Sequence, residues 1–149
     1  DDEGEAYVAQ LILDAFKGEA PDIIAFDPLA NLFDGEDEND NAQMMRFLRE
    51  RLEGVRRRLS EKTAIVLVHH SNKASREYIE TDPFSAIRGA GALRGYYTSA
   101  IVIYQPERDA PERHVFFDFR SDAAPEPVTV RYHNGRTLSV LDPLAEFED

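Results

Sequence analysis

The chain has 149 residues, 17 Lys and Arg against 29 Asp and Glu, a formal net charge of −12, and 42% apolar residues. That length is one domain's worth, enough to bury a core without staples. The acidity argues against a surface that is one nucleic-acid footprint, while leaving room for a local basic stripe or a basic lining formed in an oligomer. With no cysteine, disulfides and thiolate metal sites are excluded, which fits a cytoplasmic setting. No stretch approaches the ~18 apolar residues of a membrane span, and no signal-peptide pattern opens the chain, so no membrane partner is expected. The chain starts Asp1-Asp2-Glu3-Gly4, as a piece of something longer would.

Residues 5–17 place Val8, Leu11, Ile12, Ala15 and Phe16 at the 3- and 4-residue spacing of an amphipathic helix. Gly18 can close it in a left-handed conformation and Pro21 prevents resumption. Ile23-Ile24-Ala25-Phe26 then ends in Asp27-Pro28, a short strand of the type buried on both faces. A loop over 28–40 is acidic from Asp34 to Asp40, and Asp40 or Asn41 can cap the next helix.

That helix, about 41–60, has Met45, Leu48, Leu52, Val55 and Leu59 at spacings of 3, 4, 3 and 4. Its other faces carry Arg46, Arg49, Arg51, Arg56, Arg57 and Arg58. They read as a solvated face, with a nucleic-acid or oligomer-pore contact as the alternative. A second buried-type strand, 63–69, ends in His69-His70-Ser71-Asn72-Lys73. Strand, helix and strand make a crossover that lays the two strands parallel, so Asp27 and His70 emerge on one edge of the sheet, where open α/β sheets bind ligands.

Residues 71–85 are polar with little periodicity, as in functional or mobile loops. A short helix is expected near 89–96, within Arg88-Gly89-Ala90-Gly91-Ala92-Leu93, and a third buried-type strand at 99–104. The rest reads as antiparallel. Val115, Phe117 and Phe119 share one face with Phe116 on the other, and Val128, Val130 and Tyr132 lead into Asn134-Gly135, a strong hairpin signal. Residues 142–149 form an acidic tail. The fold class is therefore α/β: parallel strands near 22–27, 63–69 and 99–104 with a crossover helix, extended by C-terminal antiparallel strands.

A carboxylate closing a rigid apolar strand suits a magnesium–nucleotide site, because Mg²⁺ keeps several waters and takes one or two carboxylates with phosphate oxygens. The plainer reading is that Asp27 starts a turn before Pro28. His69 continues its strand or packs under the loop, whereas His70, just past the apolar run, is free to meet a ligand and can donate to a phosphate oxygen. Adjacent histidines on a strand point to opposite faces, so they are poorly placed to share one metal.

The ordered set Pro21-Asp22-Ile23-Ile24-Ala25-Phe26-Asp27-Pro28-Leu29, Asn39-Asp40-Asn41, Ile65 to Lys73 and Arg88 to Leu93 resembles the RecA-like ATPases of the plasmid RepA-type hexameric helicase group. The resemblance covers roughly residues 20–104. It implies a partial RecA-like three-layer domain over 1–149, from the Walker B strand onward, using ATP and Mg²⁺. It implies that Asp27 is the Walker B aspartate, acting on Mg²⁺ through water, and that His70 is the γ-phosphate sensor. Ser71 and Lys73 would lie in a nucleotide- or strand-facing loop, and Arg88 matches a position characteristic of the group. Members often carry a Lys and an Arg together further on; here Phe119-Arg120-Ser121-Asp122 leaves only Arg120. A homo-oligomeric ring acting on DNA is the implied assembly.

No Gly-x-x-x-x-Gly-Lys-Ser/Thr occurs in the chain, and Asp27 is followed by Pro28 rather than by a water-activating Glu. Phosphate cradling and water positioning carry this catalysis, so these residues alone are expected to hydrolyse essentially no ATP. Two rivals remain. One is a degenerate RecA-like module that binds partners through its acidic surface. The other is a metal-dependent hydrolase using Asp27, His69, His70 and Asp118.

Overall fold

The computed structural model describes residues 2–71, 76–87 and 89–141. The chain divides into two compact units, one of Asp1–Asn72 with Ile87–Tyr96, the other of Lys73–Ala86 with Tyr97–Asp149.

The first unit opens with α1 (Asp2–Ala15). Its end is a paired-bond helix stop: Gly18 N–H donates to Leu13 O at 2.7 Å and Lys17 N–H to Asp14 O at 3.3 Å. Lys17 takes the first left-handed position (φ 58°) and Gly18 follows at φ 89°, so the expected closing glycine sits one residue later than the turn itself. Of the apolar face expected for this helix, Val8, Leu11 and Phe16 are exposed, and the buried residue is Ala9.

β1 (Ile23–Phe26) and β2 (Ala64–Leu67) pair parallel, Ile23 opposite Ala64 and Phe26 opposite Leu67. At the entry end Ala64 N–H donates to Asp22 O at 2.7 Å, and the buried Thr63 hydroxyl to Pro21 O at 2.8 Å. The expectation of burial on both faces fails. Ile24, Phe26, Ile65 and Leu67 are half-buried, while Ile23, Ala25, Ala64 and Val66 are exposed. An unbroken apolar run shows that both faces suit burial, but cover has to come from other elements, and here one face has it.

The expected long helix is present as α2 (Asn41–Arg46), a π-helical turn (Phe47–Leu52) and α3 (Glu53–Leu59). Asp40 caps it, its Oδ1 accepting from Ala42 N–H at 2.8 Å and Gln43 N–H at 3.1 Å. Met44 and Met45 stand four and three residues before Leu48, both at α spacing, and it is Met44 that takes the inward position. Met44 and Leu48 are fully buried, Phe47, Leu52 and Val55 nearly so, and Met45 only half-buried. The arginines divide. Arg51 bridges Asp34 (2.9 Å) and Glu5 (3.1 Å), Arg58 meets Glu5 (3.4 Å), and Arg56 pairs with Glu53 (2.7 Å). Arg46, Arg49 and Arg57 face solvent. α5 (Ala90–Tyr96) completes the unit, with Ala92 and Leu93 buried.

In the second unit the stretch read as an aperiodic loop contains α4 (Arg76–Thr81) and a 3₁₀ turn (Pro83–Ala86), with Ile79, Phe84 and Ala86 buried. One and a half helical turns are too short to show a period, and Pro83 marks their end. β3 (Ser99–Tyr104), β4 (Glu112–Phe119), β5 (Val128–His133) and β6 (Thr137–Leu141) form an antiparallel sheet in that order. β3 was expected in the parallel sheet; it pairs instead with β4, Ile101 opposite Phe117 and Ile103 opposite Val115. The β5–β6 turn is as expected: Asn134 (φ 49°) and Gly135 (φ 67°) are both left-handed, and Arg136 N–H donates to His133 O at 3.1 Å.

Candidate functional site at the rim of the parallel strands

The exit ends of two adjacent parallel strands lie on one edge by construction, and both ends here are tied down. Val68 N–H donates to Phe26 O at 2.9 Å, and Leu29 N–H donates to Val68 O at 2.7 Å. Pro28 has no N–H to give, so the ladder skips it and resumes at Leu29, which is fully buried. The Asp27–Pro28 peptide is cis. Asp27 is thus held between two backbone anchors while it remains exposed, the setting a carboxylate needs to reach the water shell of a cation from a fixed point.

The two histidines part as alternation requires. His69 is half-buried with its Nδ1 shielded from solvent, whereas His70 is exposed on the edge where β1 also ends. Ser71, also exposed, forms an antiparallel bridge with Ile87. That bridge brings the segment after β2 to the start of the glycine-rich stretch.

The same stretch is fastened from the other side by the acidic loop and the start of α2. Gly89 has φ 66°, and a Cβ there would lie 2.8 Å from Glu38 O, so both conformation and space require glycine. Asn41 Oδ1 accepts from Ala92 N–H at 3.0 Å, supplying the first turn of α5 with an acceptor from another helix. A Cβ on Gly91 would come within 2.9 Å of that carboxamide. Of the two caps expected for the long helix, Asp40 or Asn41, Asp40 takes the role, and Asn41 caps its neighbour. No local pattern announces a cap given 51 residues away.

At the far end of α5, the Tyr96 hydroxyl donates to Glu53 Oε1 at 2.7 Å, and Arg56 Nε donates to Glu53 Oε2 at 2.7 Å. Burial alone would raise the Glu53 carboxyl, but the bonds from Arg56 and Tyr96 outweigh it and hold the group below its ordinary 4.5. Burial, then the Glu53 carboxylate, pushes the Tyr96 phenol well above its ordinary range. The backbone N–H of Gln43, its side chain and the N–H of Ala42 lower the Asp40 carboxyl below 3.8.

Asp27, His70 and Ser71 therefore share the rim region of the first unit. Lys73 and Arg88, like the acidic tail 142–149, lie outside the described residues. Arg120 and Asp118 belong to the second unit. Arg120 directly follows β4, its N–H donating to Thr98 O at 2.9 Å, and the Tyr97 hydroxyl donates to Asp118 at 2.6 Å. Among the described residues no group of three or more His, Asp or Glu side chains is gathered to hold a metal ion. Also among the described residues, no helix is long and apolar enough to cross a membrane. A cavity of about 320 Å³ in the first unit is walled by Val8, Phe26, Phe47 and Leu52, with Glu5 and Arg51 among its polar residues.

A family model described as an AAA domain matches residues 1–76, slightly more than half of the 149. The match takes in Asp27, His70, Ser71 and Lys73 but stops short of Arg88 and Arg120. No curated protein and no solved structure matches the chain.

Proposed function

The chain belongs to the AAA domain family, and from that premise we propose that it is the C-terminal half of a RecA-like ATPase of the RepA helicase type, running from the Walker B strand onward. Family membership brings a nucleotide-binding, ATPase-like domain. The single observation that carries the finer reading is the parallel β1–β2 pair, with Asp27 and His70 at its common exit edge inside the matched residues. The parent protein would couple ATP hydrolysis to work on DNA as a homo-oligomeric ring.

In this reading each residue has one task. Asp27 orients the water shell of Mg²⁺ from its tethered position, and His70 donates to a γ-phosphate oxygen. Mg²⁺, when bound with ATP, neutralises charge on the transferring phosphoryl group. An exposed, anchored carboxylate fits that outer-sphere role. The chain has no phosphate loop, so cradling of the phosphates has to come from elsewhere, and Ser71 and Lys73 serve only as flanking contacts. Arg88 is proposed to meet phosphate, DNA or a neighbouring subunit. Arg120 is the residue of this chain proposed to reach a neighbour's nucleotide.

Steady-state ATPase assays of the full-length protein test this. Asp27→Ala is expected to abolish turnover, and His70→Ala to lower it by about 10²–10³-fold, the effect of losing one donor to developing charge. DNA should raise the wild-type rate. Wild-type turnover in Asp27→Ala would refute the assignment.

A further inference from the structure

We draw no further inference here: the strongest candidate, the cavity of about 320 Å³ between α1, the end of β1 and the π-helical turn, is walled mostly by apolar side chains, its Glu5 and Arg51 already pair with each other at 3.1 Å, and nothing in the structure shows what fills it.

Discussion

Replacing Tyr96 with Phe removes one hydroxyl and leaves the ring. That hydroxyl makes a side-chain hydrogen bond from the end of α5 to α3, donated at 2.7 Å to a carboxylate that is 23% exposed. A hydrogen bond to a charged group contributes about 1.5–3 kcal/mol. Glu53 keeps both contacts from Arg56, and some water reaches it, so we place the cost at the low end, about 1–2 kcal/mol at neutral pH. Urea unfolding followed by far-UV CD measures it, and because α1, α2–α3 and α5 all lie in the first unit, the helical signal reports chiefly on that unit. The cost also has a pH signature. The folded Glu53 carboxyl is depressed below 4.5, so its contribution is fully present above that value and fades as pH falls through the folded one. The difference between wild type and Tyr96→Phe should narrow over the same range. A cost under about 0.5 kcal/mol at neutral pH, or one that does not change on acidification, would refute the reasoning.

Leu48→Ala empties a fully buried site on the long helix and should cost about 2–5 kcal/mol in the same urea experiment. Gly135→Ala meets no steric neighbour but keeps φ at 67°; it should destabilise the second unit by about 1–2 kcal/mol, read as faster amide exchange across β5 and β6. Asp40→Ala loses a cap whose carboxyl titrates below 3.8. Its thermal destabilisation should be full at neutral pH and shrink as the wild-type carboxyl protonates in strong acid.

What could be read along the chain is what depends on near neighbours in it. The spacing from Leu48 to Leu59 marks a helix whatever lies beside it, Asn134-Gly135 fits a turn of two left-handed residues, and an apolar run ending in Asp27 gives a strand with a carboxylate at its exit. The parallel pairing of β1 and β2 follows from their joining helix. That suffices to put Asp27 and His70 on one edge.

Tertiary structure decided the rest, because each remaining question turns on a partner distant in sequence. Whether Ser99–Tyr104 extends a parallel sheet or opens an antiparallel one depends on which strand offers its edge, and an apolar run fits either; β4 follows it closely in the chain and takes it. Met44 rather than Met45 is buried although both stand at α spacing from Leu48, and spacing alone does not choose between them. Asn41 read as an ordinary helix-start residue until its carboxamide was found on Ala92. Burial, above all, is a relation between surfaces: Val66 and Ile103 are as apolar as any core residue, and only the arrangement of the folded chain left them facing water.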